Sequence, residues 1–515
     1  MGLKDKISER GKKMLLSPTV MRWVSDDRVM RGVEGLMDAP SRMKAAWSVL
    51  KNGHDLPAID PAVDDSMGEV TATRGAPKPK TNGSAVHDST PPPARSLGSD
   101  DMKESLKERS SLSGIGGRDV FEKCFQFSAA DNARKMGIYP FFRPLDLNDG
   151  PEAVIDGKRV VMFGSNNYLG LTTHPKVREA AKAAIDRFGT SMTGSRLVNG
   201  SMKLHEEFEA KLAAWFGKES ALVFTTGYQV NIATCSALLS NKKSVAVIDR
   251  NVHASLYDGV RLGQSAGARL VRYRHNDAES LDKALEKVDA GEGALVVTDG
   301  VFSAEGEIAK LDQLVPVVKK HGARLFVDDA HALGVIGPVG RGTAHHFGLE
   351  GQVDLMGGTF SKSLASIGGW LVGERKVLDY IRHFAPSFLF AAAAAPPNVA
   401  AAMAAFELMQ EESWRIDKLR ENFTYMRDGL RKLGFDLGHT ETSVIPIYIR
   451  EDLRTIMMWR DLLEEYGIYT NPFISPGVPP KHAMLRTSYM ATHERSHLDR
   501  GLEAFEKVGK KYGII

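Results

Sequence analysis

Thr359-Phe360-Ser361-Lys362-Ser363 places one lysine between hydroxyl side chains, directly after an apolar run at residues 353–356 that has the character of a β-strand. His331 lies 31 residues before Lys362, just past a second apolar run that ends at Asp328. A lysine amine can form an imine, and its ammonium loses its proton readily when it is buried. This pattern therefore predicts a site for a cofactor that is held as a Schiff base.

The bulk properties of the chain indicate a cytoplasmic globular protein. Its 515 residues are 43% hydrophobic and 25% charged, and the net charge of +3 argues against nucleic-acid binding. Two distant cysteines, Cys124 and Cys235, imply neither a disulfide framework nor a cysteine-based metal site. We find no secretory signal and no window of the roughly 18 apolar residues that a membrane span needs.

The positive charge is concentrated at the N-terminus. Residues 1–53 carry eleven Lys/Arg against six Asp/Glu, a net of +5, and their apolar residues recur at helical spacing. Such a basic helical arm either makes peripheral contact with the inner face of an anionic membrane or packs on its own protein, and the sequence favours neither. Residues 54–117 are rich in Pro, Ser, Gly and Asp, which predicts a disordered linker.

The remaining chain predicts an α/β fold. Residues 118–163 form an N-terminal segment with a hairpin that turns at Asp156-Gly157. Residues 164–397 alternate short apolar runs with helical patterns, so a large domain with a mostly parallel sheet, covered by helices on both faces, is expected. Residues 398–515, with one long helical stretch at 398–435, predict a smaller C-terminal α+β domain.

Polar residues follow the predicted strands, where ligands of parallel sheets bind. Residues 225–229 join a strand to a helix through glycine, and such a helix N-terminus suits a phosphate. His253 either stacks on an aromatic cofactor or is structural, and alone it favours the structural role. Asp328 and His331 suit a pyridine ring, whose protonated nitrogen an acid would stabilise. A metal pair is discounted, because no third ligand is evident nearby.

Four motifs then resemble the α-oxoamine synthase family, which are pyridoxal-phosphate enzymes of fold type I. They occur in the family's order at residues 164–171 (GSNNYLGL), 193–200 (TGSRLVNG), 328–331 (DDAH) and 359–363 (TFSKS). The resemblance implies pyridoxal 5'-phosphate as cofactor. It also implies condensation of an amino acid with an acyl thioester, with loss of CO2.

The resemblance also assigns roles to single residues. Lys362 would form the Schiff base and move the Cα proton, and Asp328, His331 and His253 would contact the ring as further catalytic groups. The remaining cofactor contacts are assigned to Gly227, Tyr228, Ser303, Thr359 and Ser361. Arg486 and Asn167 are assigned to the substrate, Arg486 by a bidentate pair with its carboxylate.

Two further segments, residues 136–143 and 485–493, resemble the members that join L-serine to a long-chain acyl thioester, giving 3-ketosphinganine for sphingolipid synthesis. Members that use glycine or alanine share nearly all of these residues and are the alternative. A non-catalytic subunit recruited to a membrane is the alternative of a different class, and the retained Lys362, Asp328 and His331 speak against it. The carrier of the acyl group is CoA or an acyl-carrier protein.

Residues 391–395 depart from the family. They are all alanine where relatives often have Ser or Thr, so a phosphate contact from a neighbouring subunit is either missing or made by backbone. This alanine run predicts close packing against another subunit or a plain loop. A homodimer is expected by resemblance alone.

Overall fold

The computed structural model describes residues 120–515. The predicted basic arm at 1–53 and the predicted linker at 54–117 lie outside these residues. No helix within the described part of the chain is both long and apolar enough to cross a membrane.

The N-terminal segment carries the predicted hairpin. Its elements are α1 (Glu122–Phe125), α2 (Ala129–Lys135), β1 (Leu147–Asp149), β2 (Glu152–Ile155) and β3 (Lys158–Met162). Ile155 pairs with Lys158, which leaves Asp156 and Gly157 as a two-residue turn. Both turn residues have positive φ, 50° and 72°, as this type of hairpin turn requires. The Asp-Gly signal in the sequence is thereby confirmed.

A seven-stranded sheet forms the centre of the large domain. Its strands are β4 (Ser220–Phe224), β5 (Ser244–Asp249), β6 (Arg269–Tyr273), β7 (Gly293–Asp299), β8 (Arg324–Asp328), β9 (Leu355–Thr359) and β10 (Gly369–Gly373). Their spatial order is β4-β10-β9-β8-β7-β5-β6. All run in one direction except β10, which is antiparallel to both of its neighbours. The predicted mostly parallel sheet is confirmed, and β10 is a strand that the sequence pattern did not reveal.

Helices cover both faces of this sheet, as predicted. They are α3 (Pro175–Phe188), α4 (Lys203–Phe216), α5 (Gly227–Leu238), α6 (Ala254–Ser265), α7 (Ala278–Leu285), α8 (Leu311–Lys320), α9 (Thr343–His346), α10 (Arg375–Phe384), α11 (Pro386–Leu389) and α12 (Pro396–Glu411). Successive side chains of a strand enter different hydrophobic clusters: Leu222 packs on one face and Val223 on the other. Two buried cores therefore hold the central strands in place.

The C-terminal region is built from α13 (Trp414–Leu433), β11 (Val444–Tyr448), α14 (Asp452–Glu464), β12 (Ile468–Tyr469), β13 (Asn471–Phe473), β14 (Met484–Ser488) and α15 (Arg495–Lys511). Strands β11, β14 and β13 form an antiparallel sheet. Strand β12 instead pairs in parallel with β3, so the N-terminal hairpin shares a four-stranded sheet with this region. The boundaries proposed for the domains stay a prediction.

The expectation of one long helix over residues 398–435 is wrong. The helix breaks between α12 and α13 because Glu412 leaves helical geometry, with φ −110° and ψ 51°. The Glu412 carboxylate accepts a hydrogen bond from Arg415 Nε at 2.6 Å, and Arg415 Nη1 donates to the Leu169 carbonyl at 3.1 Å. The break therefore attaches the start of α13 to the loop at residues 164–171.

Trp370 in β10 supplies a stability test. Its indole is fully buried and stacks on Phe216 of α4, with ring centroids 4.5 Å apart. We expect Trp370→Ala to lower the free energy of unfolding by about 3–5 kcal/mol, because it leaves a large cavity in a packed core. Urea unfolding followed by circular dichroism measures this. Trp414→Ala is the matched control, since Trp414 is 53% exposed, and an equal loss in both variants would contradict the role of β10.

Candidate active site

One cavity of about 320 Å³ lies beyond the carboxyl ends of the central strands. Eight of the predicted cofactor residues line it: Gly227, Tyr228, His253, Asp328, His331, Thr359, Ser361 and Lys362. The fold thus gathers into one place residues that span 136 positions of the chain, from 227 to 362. Three predicted residues, Ser303, Arg486 and Asn167, are not among the cavity's lining residues.

Lys362 lies in the loop that connects β9 to β10. Thr359 pairs with Gly369, and the Phe360 N–H donates to the Gly368 carbonyl at 2.9 Å, so the loop is closed at its base. Burial and the charge of Arg486 lower the pKa of Lys362, the carboxyl groups of Asp328 and Asp299 oppose this change, and the resulting pKa is about 8. A fraction of the Lys362 amine is therefore neutral near physiological pH, as imine chemistry requires.

Asp328 is the last residue of β8 and is buried. Its Oδ1 accepts from the Ala330 N–H at 2.9 Å, and its Oδ2 accepts from Asn231 Nδ2 at 2.6 Å. These bonds fix the orientation of the Asp328 carboxyl group at the end of the strand. Asp299, at the end of the adjacent strand β7, is also buried, and both burial and the charge of Asp328 raise its pKa well above the usual range.

The two histidines of the cavity are each held by a hydroxyl group. His331 Nδ1 lies 2.6 Å from the Tyr168 hydroxyl, and His253 Nδ1 lies 2.6 Å from Ser255 Oγ. Burial, together with the positive charges of Lys362 and Arg486, lowers the pKa of His331 well below its ordinary value. Burial also lowers the pKa of His253. Both rings are therefore neutral hydrogen-bonding groups rather than cations.

The N-terminus of α5 faces Thr359. A Cβ on Gly227 would lie 2.5 Å from the Thr359 Cβ, so only glycine permits this approach. Thr226 caps the helix by accepting from the Gln229 N–H at 3.1 Å, whereas the N–H groups of Gly227 and Tyr228 have no hydrogen-bond acceptor within residues 120–515. Thr359 Oγ1 lies 2.8 Å from Ser361 Oγ. Helix N–H groups and two hydroxyls form a cluster of donors suited to a phosphate.

Tyr228 is engaged differently from this cluster. Its side chain is 43% exposed, and its hydroxyl donates to the carboxylate of Asp258 on α6. This contact raises the pKa of the Tyr228 phenol and lowers that of Asp258. The phosphate role of Tyr228 stays a prediction. Of its groups, the backbone N–H belongs to the donor cluster at the N-terminus of α5.

Arg486 is buried on β14. Its Nε donates to the Ser303 carbonyl at 2.7 Å, and its Nη1 donates to Asn166 Oδ1 at 3.0 Å. Ser303 thus contributes a carbonyl to Arg486. Both acceptors are uncharged, and Arg486 forms no salt bridge within the described residues. The substrate role of Arg486 stays a prediction, which this unpaired charge supports.

One family motif, at residues 164–171, and the segment at 485–493 meet beside Arg486. Ser488 Oγ donates to the Ser165 carbonyl at 2.7 Å, and the Ala491 N–H donates to the Tyr168 carbonyl at 2.7 Å. The segment at 485–493 therefore fixes the loop at 164–171, which in turn presents Tyr168 to His331.

Asn167 is turned into its own loop. Its Nδ2 donates to Thr172 Oγ1 at 2.8 Å, and its Oδ1 accepts from the Leu171 N–H at 3.0 Å. The structure does not bring this side chain to the cavity; its neighbour Asn166 makes the contact with Arg486 instead. Adjacent asparagines gave no signal in the sequence to decide which of them faces the site.

Several residues of the site were missed from the sequence: Tyr168, Asn231, Ser255 and Asp299. In the sequence, Asp299 is one of several polar residues at predicted strand ends, and Tyr168 is one residue of the motif at 164–171. Asn231 is the fifth residue of α5 and Ser255 is the second residue of α6, and the N-termini of both helices face the cavity. Polar residues within the first five positions of these helices are the sequence signal that points to both.

The alanine run at 391–395 packs on its own chain. The Ala393 N–H donates to the Gly194 carbonyl at 2.9 Å, and the Thr225 hydroxyl donates to the Ala392 carbonyl at 2.5 Å. Backbone groups of this run therefore lie beside the strand end that leads to Gly227.

The residues of the cavity fit pyridoxal phosphate. The cavity supplies an amine of lowered pKa, a hydrogen-bonded carboxylate, and a donor cluster where a Cβ on Gly227 would block close approach. These match the aldehyde, the pyridine nitrogen and the phosphate of that cofactor in chemistry. Elsewhere in residues 120–515, no three His, Cys, Asp or Glu residues are grouped so that they could hold a metal ion.

Comparison with known proteins agrees with this chemistry. The model of the family described as class I and II aminotransferases matches residues 158–505. A serine palmitoyltransferase of Sphingobacterium spiritivorum is 42% identical over 393 residues, covering 76% of this chain and 97% of that protein. An 8-amino-7-oxononanoate synthase of Thermoanaerobacter pseudethanolicus is 39% identical over 386 residues, covering 75% and 96%.

Among solved structures, a serine palmitoyltransferase variant from S. paucimobilis with a bound PLP–myriocin aldimine is similar to this chain. The TM-score is 0.74 at 35% identity, over 77% of this chain and 100% of that one.

Gly227→Ala tests the donor cluster. The added Cβ would separate α5 from Thr359, so we expect the dissociation constant for pyridoxal phosphate to rise at least about tenfold, equivalent to about 1.4 kcal/mol. Titration of the apo-protein, followed by visible absorbance, measures this. Gly351→Ala is the control, because a Cβ there meets nothing within 4 Å. Unchanged affinity in Gly227→Ala would exclude this helix end as the phosphate site.

The lowered pKa of Lys362 predicts how cofactor capture depends on pH. Only the neutral amine attacks an aldehyde, so the capture rate should rise about tenfold per pH unit below 8 and level off above it. Mixing apo-protein with pyridoxal phosphate, with a small-molecule amine as reference for the cofactor's own ionisation, measures the rate. A rise that continues to pH 10 would show an ordinary lysine.

Proposed function

The chain belongs to the family of class I and II aminotransferases, and we propose that it catalyses the decarboxylating condensation of L-serine with a long-chain acyl thioester to 3-ketosphinganine. Family membership confirms the resemblance to the pyridoxal-phosphate enzymes of fold type I. The cofactor and the class of enzyme, an acyltransferase, are confirmed with it.

The observation that carries the proposal is the buried guanidinium of Arg486 next to the groups of the cavity. Its Nη1 donates to Asn166 Oδ1, which also accepts from the Tyr168 hydroxyl at 3.3 Å, and that hydroxyl contacts His331. Besides burial, the charge of Arg486 lowers the pKa of both His331 and Lys362. A guanidinium beside a reactive lysine suits a substrate with a carboxylate next to the reacting carbon. Amino acids have this arrangement.

The residues of the cavity divide the work of the reaction. Pyridoxal phosphate, when bound, supplies the electron sink that stabilises a carbanion at the Cα of the amino acid. Lys362 Nζ takes the Cα proton, so that the C–H bond breaks and an N–H bond forms. Asp328 would pair with the protonated pyridine nitrogen of the cofactor, and Arg486 would bind the substrate carboxylate. In the overall reaction the bond from Cα to the acyl carbon replaces the C–S bond, so the carrier leaves as its thiol, and a proton replaces the carboxylate that is lost as CO2.

Support for serine as the amino acid comes from the serine palmitoyltransferases that this chain resembles and from the segments at 136–143 and 485–493. The second candidate is the use of glycine or alanine, as in an 8-amino-7-oxononanoate synthase or a 2-amino-3-ketobutyrate CoA ligase. The 8-amino-7-oxononanoate synthase that is 39% identical to this chain favours keeping this second candidate. CoA and an acyl-carrier protein are both retained as the acyl carrier.

A homodimer in the cytoplasm completes the proposal. Contact of residues 1–53 with the inner face of the membrane is kept as a prediction that lies outside the described residues. Liposome binding by the full chain and by a chain that lacks residues 1–53 tests it. Equal binding by the two chains would show that residues 1–53 do not make the membrane contact.

Product analysis tests the substrate assignment. The purified holoenzyme is incubated with palmitoyl-CoA and serine, glycine or alanine in turn, and products are identified by mass spectrometry. We expect 3-ketosphinganine from serine at a rate at least about tenfold above the products of the other two. Lys362→Ala, which lacks the amine, is the blank. Equal or faster turnover of glycine or alanine would contradict the assignment of serine as the amino-acid substrate.

Asp328→Asn tests the electron sink. The amide keeps the size of the side chain but cannot hold a pyridine nitrogen protonated, so we expect cofactor binding to persist and kcat to fall by about 10²-fold or more. Steady-state kinetics with bound cofactor measured in parallel separate the two effects. Retained kcat would contradict the ring-facing role of Asp328.

A further inference from the structure

Four side chains beneath the cavity are joined by consecutive hydrogen bonds. His253 Nδ1 lies 2.6 Å from Ser255 Oγ, Asn231 Nδ2 lies 2.8 Å from the same oxygen, and Asn231 Nδ2 lies 2.6 Å from Asp328 Oδ2. We call this set, His253, Ser255, Asn231 and Asp328, the relay. It joins the N-terminal turns of α5 and α6 to the end of β8, and it includes two residues with no role in the proposed reaction.

The direction of each hydrogen bond in the relay follows from the carboxylate of Asp328. A carboxylate oxygen accepts and cannot donate, so the amide nitrogen of Asn231, not its oxygen, faces Asp328. The second N–H of this amide points to Ser255 Oγ, which leaves Asn231 Oδ1 buried without a donor in the described chain. Ser255 Oγ accepts one proton from Asn231 and keeps its own. The backbone N–H of Ser255 points at His253 Nδ1, so this nitrogen accepts and the Ser255 hydroxyl donates to it.

His253 Nδ1 is therefore an acceptor. The backbone N–H of Ser255 donates to it from 3.3 Å, and the Ser255 hydroxyl is the second donor. A neutral imidazole with an accepting Nδ1 carries its proton on Nε2. The imidazole is exposed to the cavity that it lines, so the Nε2–H is the donor that it offers there.

We infer that Ser255 and Asn231 are positioning residues that hold His253 as the Nε2-protonated tautomer and tie its orientation to Asp328. His253 is expected on one face of the cofactor ring, and Asp328 is expected at its nitrogen. The relay joins these two groups into one hydrogen-bonded unit. The inference rests on the proposed function only in taking this cavity as the cofactor site.

Burial outweighs the charge of Asp328 at His253, so the surroundings favour the neutral ring as well. Asp299 accepts from the His253 backbone N–H at 3.2 Å, which fixes the start of α6. Asp328 favours protonation of the ring, whereas burial and Lys362 oppose it. Since Nδ1 is already met by two donors, a second ring proton would break the bond from Ser255.

The tautomer of His253 is read directly by long-range 1H–15N correlation spectra of holoenzyme labelled with 15N-histidine. His253→Gln identifies the signal by its loss. In the wild-type protein we expect a protonated Nε2 and an unprotonated Nδ1. In Ser255→Ala we expect a mixture of tautomers, and Ser255→Thr, which keeps the hydroxyl, should restore the single form. A protonated Nδ1 in the wild type, or an unchanged signal in Ser255→Ala, would overturn the inference.

Cofactor affinity gives the second measurement. Asn231→Leu removes both donors, so we expect the dissociation constant for pyridoxal phosphate to rise about tenfold. Thr234→Val is the matched control, because Thr234 lies one turn further along the same helix, fully buried, with a hydroxyl that has no partner in the described chain. Equal affinities in the two variants would overturn the link to Asp328. If Asn231→Leu fails to fold, Ser255→Ala decides the question.

These outcomes are separate from the substrate assignment. Glycine or alanine in place of serine would change the product and leave the tautomer signal unaltered. A wild-type protein that turns over serine but shows a protonated Nδ1 would uphold the proposed function and reject the relay.

Discussion

The antiparallel pairing of β10 between β9 and β4 is the constraint on which the site depends. It forces the chain to reverse within residues 360–368, and this reversal places Lys362 above the carboxyl ends of the parallel strands. Gly369 in β10 also lies against α5, since a Cβ there would come within 2.6 Å of Val230. Strand β10 thus fixes both the loop that carries Lys362 and the position of α5, whose N-terminus faces Thr359. Without β10, no single element would hold the reactive amine and the phosphate donors in fixed relative positions.

Inside the cavity, charges of both signs compensate one another. The ammonium of Lys362, the guanidinium of Arg486 and the carboxyl groups of Asp328 and Asp299 would each be costly to bury singly in charged form. Burial is the main cause of the shifted pKa values, and this group adds to it: Lys362 and Arg486 lower the pKa of His331, Arg486 lowers that of Lys362, and Asp328 raises that of Asp299. A balanced set of this kind keeps two histidines neutral, which leaves them free to serve as hydrogen-bond donors to a bound ring.

Much of this could be predicted from sequence, for identifiable reasons. Lys362, Asp328 and Gly227 follow apolar runs, and strand ends are where an α/β sheet binds its ligands. Strand β10 was missed because Gly369-Trp-Leu-Val-Gly373 is short and flanked by glycine, so its pairing depends on strands distant in sequence. The Asn231 and Ser255 contacts were missed because they join three elements, and the choice between Asn166 and Asn167 depends on loop geometry. The break at Glu412 had no proline or glycine to mark it.

The parallel pair of β3 with β12 has a consequence for the order in which the chain is made. Met162 leaves the ribosome 306 residues before Ile468, and at synthesis rates of about 5–20 residues per second this interval lasts roughly 15–60 s. For that time the outer edge of β3 is an unpaired strand with buried-type side chains at Val160 and Val161. Until β12 is made, this edge is open to pairing with another chain.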